Sequence, residues 1–217
     1  MELISVNLGQ ERILPRKDRI ERTGIFKYPA QDAVRVTKLG MAGDVIASKK
    51  HHGGADQAVY VYGGRDYEWW ERELGRRLAP GTFGENLTIR DLESASFNVG
   101  DYLHSRDITL QVTAARIPCS TFARRMDDPQ WVKRFRQAER PGLYCRVLKE
   151  GLVKAGQVVN VEPYTGETIS ILEMFREYYN RNKREEILRR HLAAPIAIRA
   201  RRDLEKQLHF LLHRQEI

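Results

Sequence analysis

Up to about residue 163, apolar and polar positions alternate in short runs, and this pattern predicts β-strands. In "DITLQVTAAR" (107–116), Ile108, Leu110 and Val112 recur at every second position, as in a strand with one buried face. Similar runs are "ELISVNL", "DAVRVTKLG", "DQAVYVYGG", "GLYCRVLKEG" and "GQVVNVEP". Many short strands at irregular spacing predict a β-barrel or a strongly curved sheet.

Helical spacing replaces this alternation in two places. In "GRDYEWWERELGRRL", Tyr67, Trp70 and Leu74 recur at helical intervals, and Gly75 is a typical end signal. After "EPYTGE", three further segments show the helical pattern: "TISILEMFREYYN", which Thr168 could cap, "KREEILRRHLAA" and "IAIRARRDLEKQLHFLLHRQ". The expected fold class is therefore mainly β with α, with a β-barrel domain at residues 1–163 and a C-terminal three-helix domain at 164–217.

Composition is that of a globular protein with one sizeable core. The chain has 217 residues, of which 41% are hydrophobic and three are tryptophan. The start shows no secretory pattern, and no apolar run approaches the roughly 20 residues of a membrane span. Two cysteines in unlike surroundings do not form a disulfide framework. We therefore expect a cytoplasmic protein with free thiols and no membrane partner.

The net charge of +8 and the pI near 9.6 favour anionic partners. Nucleic acid, membrane surfaces and phosphorylated small molecules all meet this description, and the charge does not select among them. The helical tail is basic, but its acids are interleaved and no glycine marks a turn between its helices. A DNA-reading helix-turn-helix is therefore disfavoured.

"RIPCSTF" places Cys119 just beyond a predicted strand. Pro118 ends that strand, and the hydroxyl residues that follow predict a helix start. Arg116, Arg124 and Arg125 lie nearby in sequence and favour the thiolate form, which is a nucleophile or a soft metal ligand. Cys145 alternates with apolar neighbours in "LYCRV" and is predicted to be a buried strand residue.

Two glycine-containing segments are candidate binding loops. In "SKKHHGGADQAVY", the glycines allow backbone amides to turn towards an anion and the basic side chains add charge, which suggests a phosphate or carboxylate cradle. A solvated surface turn is the alternative. The candidate residues of this cradle are Lys49, Lys50, His51, His52, Gly53 and Gly54.

In "PGTFGENLTIRDL", Thr82 and Phe83 are bracketed by glycines and precede Glu85 and Asn86. Asn86 offers a donor and an acceptor to a heterocycle, while Glu85 could transfer protons or hydrogen-bond a turn. Nucleotide-binding and serine-hydrolase motifs are absent from the sequence, whereas a Cys-His hydrolase using Cys119 with His51 or His52 remains open.

Five segments in this order resemble the MOSC domain, the molybdenum cofactor sulfurase C-terminal domain: "KKHHGGADQAVYVY", "GTFGENLTI", "VGDYL", "RIPCSTF" and "GLYCRVL". The helical tail makes the chain most similar to the YiiM-like branch of that family. The resemblance implies that Cys119 is the thiolate ligand to molybdenum in a pterin-based cofactor. It further implies cofactor contacts from the "KKHHGG" cradle and from Thr82, Phe83, Asn86, Arg116 and Arg146.

The resemblance also implies an activity, the reduction of N-hydroxylated compounds such as hydroxylamino-purines and amidoximes. Glu85 or a cofactor-bound water would donate protons. The sequence has no recognisable flavin, nicotinamide or iron–sulfur motif, so a separate flavin or iron–sulfur reductase would supply electrons. The helical tail would cover the barrel or dock that reductase. Ser120 and Leu143 depart from the family pattern, which puts substrate preference in doubt.

Two other functions use the same features. A sulfur carrier would hold a persulfide on Cys119 and would need the same accessible thiolate. A nucleic-acid-binding module would use the basic helical tail and would bind with a steep salt dependence.

Overall fold

The computed structural model describes residues 1–16, 19–47 and 53–213. Most of the chain before residue 163 is β-structure, as the alternation predicted. Its strands are β1 Leu3–Gly9, β2 Arg12–Arg16, β3 Arg19–Thr23, β4 Lys27–Pro29, β5 Val34–Thr37, β6 Gly40–Met41, β7 Val59–Gly63, β8 Leu87–Ile89, β9 Tyr102–Ser105, β10 Ile108–Ala115, β11 Leu143–Lys149, β12 Gly151–Val153 and β13 Val159–Glu162. The helices are α1 Gly64–Leu74, α2 Ser120–Arg125, α3 Trp131–Ala138, α4 Ile171–Tyr179, α5 Glu185–Ala193 and α6 Ile198–His213.

Eight strands form one sheet in the order β13-β9-β10-β11-β7-β8-β1-β4. All neighbours are antiparallel except β7 and β8, which α1 connects in parallel. The first strand approaches the far edge through an isolated bridge between Glu2 and Val158. In the part of the chain that the structure describes, no continuous strand pairing between β1 and β13 closes the sheet into a barrel. The predicted β-barrel is therefore not closed. Its large sheet is present, and the two edges meet through backbone hydrogen bonds of Met1 and Leu3 with Gly156, Gln157 and Val159.

Two smaller sheets flank this one. Strands β12, β5 and β6 form a three-stranded sheet, and β2 and β3 form a separate antiparallel hairpin. The hairpin is called the β2–β3 hairpin below.

The helix predicted from Tyr67, Trp70 and Leu74 is confirmed. Tyr67 and Trp70 are buried, and Gly75 ends the helix in the left-handed conformation. The Trp70 ring lies 4.6 Å from that of Trp131 on α3, within a large aromatic cluster. Burying so much aromatic area contributes strongly to stability and fixes α1 and α3 against the sheet.

The three C-terminal helices are also present, but the predicted cap is wrong. Ser170, not Thr168, caps α4, because its hydroxyl accepts a hydrogen bond from the amide of Glu173. The Thr168 hydroxyl instead donates to the carbonyl of Val99. Thr168 is thus bound to the segment that leads into β9, two residues before the Ser170 cap.

The helical tail shares the hydrophobic core of the sheet. Ile171 and Phe175 of α4 are almost fully buried and belong to the same cluster as the strand residues. A separate three-helix domain is therefore not confirmed, and the division at residue 163 stays a prediction. No helix among residues 1–16, 19–47 and 53–213 has both the length and the apolar character that crossing a bilayer would require.

Candidate functional site

A cavity of about 860 Å³ lies where several chain segments meet. The β2–β3 hairpin, the loop after β6 and the turn between β10 and α2 form most of its wall. Its lining residues are 20–25, 44–47 and 116–121, with Lys27, Gly53, Gln57, Ala58, Tyr60, Gly84, Asn86, Tyr144 and Tyr178. Of the sequence-predicted site residues, the structure brings Cys119, Arg116, Asn86 and Gly53 together here.

Cys119 lies in the cavity wall, where the long strand β10 gives way to α2. Its backbone is extended, and it is the N-cap residue of that six-residue helix. The thiol is half-buried, and no disulfide involves it. A partly exposed sulfur in a cavity wall can contact a bound group while the surrounding chain fixes its position.

Cys145 has a different environment, as its sequence pattern predicted. It lies on β11, opposite Val112 of β10, and has no measurable exposure. Burial raises the pKa of the Cys145 thiol far above its usual range. This cysteine is an inert core residue.

Arg116 supplies a buried positive charge to the same cavity. It is only 4% exposed, and its guanidinium lies 4.8 Å from the ring centre of Tyr60 and 4.3 Å from that of Phe122. One terminal nitrogen donates to the carbonyl of Phe83, while Nε is buried and has no hydrogen-bond partner among residues 1–16, 19–47 and 53–213. Burial acts to lower the pKa of Arg116, but nearby Tyr60, Tyr144 and Cys119 outweigh it and raise the pKa. The side chain is therefore a fixed cation with one donor unused.

Lys27 and Asp44 form a buried ion pair in the cavity wall that sequence reasoning missed. The Lys27 ammonium lies 2.5 Å from both carboxylate oxygens of Asp44, and the two side chains are 7% and 3% exposed. Asp44 also accepts hydrogen bonds from the amide of Gly9 and from the side chain of Asn86. Burial is the largest influence on the pKa of Lys27 and lowers it.

Asn86 reaches the cavity, but protein groups already engage its amide. Its carbonyl oxygen accepts from the amide of Tyr60 at 3.1 Å, and its nitrogen donates to Asp44 at 2.9 Å and to the carbonyl of Asn7 at 3.4 Å. The side chain therefore fixes Asp44 and the start of β7. The donor and acceptor that the sequence offered to a heterocycle are used within the protein.

Glu85, Thr82 and Phe83 lie behind the cavity wall rather than in it. Glu85 is fully buried, and its Oε1 accepts from the Tyr67 hydroxyl, the Gly81 amide and the Thr88 hydroxyl. Burial raises the pKa of Glu85. These contacts hold the 81–88 loop, and Glu85 is not among the cavity-lining residues. Its role as a proton donor stays a prediction.

The other two residues of that loop are also committed to the protein interior. The Thr82 hydroxyl donates to the carbonyl of Ala79. The Phe83 ring stacks on Tyr62 with 4.4 Å between ring centres. Neither side chain lines the cavity, and the cofactor contact that the resemblance implied for them stays a prediction.

Gly84 is the residue of this loop that lines the cavity and has no room for a side chain. Its φ is +75°, and a Cβ there would lie 2.8 Å from Ile25 and 3.3 Å from the Arg116 guanidinium. Only glycine adopts this conformation at low cost and leaves Arg116 its place. The glycine spacing noted in the sequence is thus explained by the cavity wall.

The "KKHHGG" cradle is only partly described. Lys49, Lys50, His51 and His52 lie outside the described residues, so their cofactor role stays a prediction. Gly53 lines the cavity, and Gly54 does not. Both have a positive φ, of +73° and +87°, and Gly54 precedes a short 3-10 helix at Ala55–Gln57.

Arg146 lies outside the cavity. It forms an ion pair with Asp56 at 3.1 Å and donates to the carbonyls of Pro195 and Ile196. It therefore ties β11 to the segment that leads into α6.

The β2–β3 hairpin and α4 contribute cavity residues that the sequence did not reveal. Glu21 of the hairpin accepts a hydrogen bond from Thr121 and contacts Arg124 at 3.3 Å, which joins the hairpin to the helix after Cys119. Tyr178 of α4 lines the cavity from the helical tail. No local pattern distinguishes either residue from ordinary surface positions.

Comparison with known proteins agrees with this arrangement. The family model described as "MOSC domain" matches residues 48–160, which contain Cys119, Arg116 and about half of the cavity-lining residues. The chain belongs to the MOSC domain family. Among curated relatives, the MOSC-family chain is 36% identical over 154 residues to "Uncharacterized protein YflK" of Bacillus subtilis, covering 71% of this chain and 70% of that protein. It is 30% identical over 137 residues to "Protein YiiM" of Escherichia coli, covering 61% of each.

A protein named "Reductase" from Gibberella moniliformis is 29% identical over 164 residues, which are 74% of this MOSC chain but only 29% of that protein. Solved structures that resemble this chain also cover its C-terminal helices. The YiiM structure from Geobacillus stearothermophilus superposes with a TM-score of 0.78 at 26% identity, covering 95% of this chain and 98% of that one. The Escherichia coli YiiM structure gives 0.74 at 21% identity, with coverages of 96% and 92%.

Proposed function

We propose that this chain is a molybdenum-cofactor-dependent reductase of N-hydroxylated compounds, with Cys119 as the protein ligand to molybdenum. The observation that carries the proposal is the position of Cys119, a half-buried thiol in the wall of a large cavity that also contains a buried arginine. Membership of the MOSC family, which is typically associated with the molybdenum cofactor, supports it. The relative named "Reductase" agrees with a redox activity.

The described residues fit such a cofactor. A thiolate is a soft ligand and suits a molybdenum centre held by sulfur atoms. The unpartnered Nε of Arg116 is a buried donor that an anionic ligand group would satisfy, and about 860 Å³ is within the volume range of cofactor pockets. When bound, the molybdenum centre would supply the two-electron chemistry.

The chain's own groups would orient that chemistry and shield it. Arg116 would stabilise negative charge at Cys119 and on the ligand. Lys27, Asp44 and Asn86 would form a rigid polar wall, because their charges and hydrogen bonds are already paired with one another. Rigid groups of this kind need little reorganisation when a substrate binds.

The proposed reaction breaks the N–O bond of the substrate. A hydroxylamino group takes up two electrons and two protons and yields an amine and one water molecule, and an amidoxime yields an amidine in the same way. The electrons would come from a separate flavin or iron–sulfur reductase. Since Glu85 is fully buried and does not line the cavity, we assign the protons to solvent and not to that side chain.

The first experiment is to measure molybdenum and released pterin in protein made by a host that synthesises the cofactor. Cys119→Ser should lose the metal and should lower reduction of N-hydroxylated substrates roughly a hundredfold or more, since even outer-shell changes cost 10–100-fold. Cys145→Ala is the matched control, because it removes the other thiol without burying a hydroxyl. It should keep the metal and most of the activity.

Equal molybdenum content and activity in the two variants would contradict the assignment. Protein without molybdenum or pterin but with a labile extra sulfur on Cys119 would instead favour the sulfur-carrier function.

A further inference from the structure

Tyr178 is an exposed aromatic residue in the wall of the Cys119 cavity. Its side chain is 62% exposed, although it lines the same cavity as the buried polar groups. Exposed aromatic residues are costly to leave in water, and they are enriched where another molecule binds. The helix that carries Tyr178 begins after residue 160, where the match to the MOSC model ends. The tail therefore adds a residue to the cavity that the MOSC segment lacks.

The protein holds Tyr178 in place without burying it. On α4, Phe175 is 1% exposed and packs against Phe135 of α3. Four residues later, Tyr179 carries the Arg136 guanidinium 4.2 Å from its ring centre. The Tyr178 ring then stands edge-on to Tyr179, with 5.1 Å between centres and an angle of 85°. Such support fixes the ring while leaving it accessible to a ligand.

An ion pair between α4 and the end of α3 adds to this support. Arg176, two residues before Tyr178, donates to Glu139 at 2.6 Å. Helix α4 is thus attached to the protein by both apolar and charged contacts. The backbone position of Tyr178 is therefore fixed, and its ring also contacts that of Tyr179.

We propose that Tyr178 is a specificity-determining platform on which a planar N-hydroxylated heterocycle stacks. The proposal rests on the proposed function and names one substrate class for the same site. Tyrosine rings stack on any flat π system, and a small aliphatic amidoxime has no ring to stack. The residue would therefore favour ring substrates over small aliphatic ones.

The platform contacts the substrate and not the cofactor, because Tyr178 is far more exposed than the polar groups deeper in the cavity. Arg116, which has a donor free for the cofactor, and Lys27 and Asn86 of the polar wall are all less than a tenth exposed. Tyr178 lies at the solvent side, where a substrate enters and a product leaves. Loss of this ring should leave cofactor content unchanged.

The test compares Tyr178→Ala with the wild-type holoenzyme on two substrates, 6-hydroxylaminopurine and acetamidoxime. Base–aromatic stacking supports an expected rise of roughly fivefold to thirtyfold in KM for the purine, with kcat nearly unchanged. The kinetics with acetamidoxime should not change. Tyr178→Phe should behave as wild type, because it keeps the ring.

Phe210→Ala is the matched control for removing an exposed aromatic residue. Phe210 is 63% exposed on α6 and is not among the cavity-lining residues. That variant should leave the kinetics with both substrates unchanged.

Adenine, the product expected from the purine, gives a readout that does not depend on turnover. Its dissociation constant, measured by calorimetry, should rise in Tyr178→Ala by a factor similar to that of KM. Molybdenum and pterin content should match wild type.

Three results in Tyr178→Ala would each overturn the proposal. They are an equal loss of activity with both substrates, a loss of molybdenum, and purine kinetics and adenine binding that both match wild type. If loaded wild-type protein reduced neither substrate, the proposed function would fail, and the adenine titration alone would decide the role of Tyr178.

Discussion

At the scale of single residues, Asp44 organises the polar wall of the cavity. It pairs with a lysine that is almost as buried as itself and also receives hydrogen bonds from Gly9 and Asn86. Removing one partner of a buried ion pair leaves the other charge without compensation, which is more costly than losing the attraction alone. Asp44→Asn should therefore lower the free energy of unfolding by about 3 kcal/mol, measured by urea denaturation.

Asp32→Asn is the control, because Asp32 is an exposed acid and its loss changes the net charge equally. We expect a change within about 0.5 kcal/mol there. A similar small change in Asp44→Asn would show that Lys27 does not depend on its partner.

The same pair predicts the direction of a pH effect. Burial lowers the pKa of Lys27 below its ordinary 10.5, so the unfolded chain binds this proton more tightly than the folded one. In the window between the lowered pKa and 10.5, stability from this group therefore rises with pH. Because Asp44 opposes the lowering, this rise should be steeper in Asp44→Asn.

The sequence distinguished the two cysteines but not this ion pair. Cys145 follows a local alternation and Cys119 a local Pro-Cys turn, so neighbouring residues were sufficient. Lys27 and Asp44 lie in ordinary turn-rich segments, and their pairing depends on how β4 and the loop after β6 meet in space. The fixed amide of Asn86 was hidden for the same reason.

At the scale of elements, α5 is attached to α4 by a buried histidine. His191 is 3% exposed, and its Nε2 lies 3.0 Å from a carboxylate oxygen of Glu173, which Arg190 also contacts. Burial is the largest influence and lowers the pKa of His191, although Glu173 opposes it.

This histidine predicts acid sensitivity. As pH falls through about 6.5, the unfolded chain takes up the proton first, so stability from this group is lost between that pH and the lowered folded pKa. His191→Gln should reduce the loss of stability between about pH 8 and pH 5.5, measured by urea unfolding at each pH. Exposed His209 provides the control, and His209→Gln should leave the pH dependence as in wild type. An unchanged slope in His191→Gln would contradict the assignment.

Element existence was easier to predict than element ends or sheet order. Tyr67 and Trp70 give α1 a clear helical period, and Gly75 marks its end. The start of α4 was assigned to Thr168 because a threonine is a good cap, but pairing with Val99 engages that hydroxyl before the helix begins. Such competition between a local cap and a distant loop residue leaves no sequence signal.

At the scale of the whole molecule, one core joins both halves of the chain. Ile169 pairs with Val99 through the backbone, Ala197 with Thr113, and the Phe175 ring reaches α3. The composition break near residue 164 suggested a domain boundary, because sequence shows where the element type changes. It does not show whether the new elements bury their apolar faces on one another or on the preceding sheet. In this protein, α4 buries its apolar residues in the same core as the sheet.

The shared core predicts that residues 1–163 will not fold cooperatively by themselves. Removing the tail would uncover Phe135 and the 97–99 segment that Ile169 and Ile171 contact, which is a large apolar loss for a domain of marginal stability. Near-UV circular dichroism and thermal unfolding should show weak tertiary structure and a broad transition. In the full chain, Phe175→Ala should lower the free energy of unfolding by about 3–5 kcal/mol, whereas Phe210→Ala should change it little because Phe210 is exposed. A transition in residues 1–163 as sharp as that of the full chain would instead establish the two domains that the sequence suggested, and would limit the tail to adding Tyr178 to a site that folds without it.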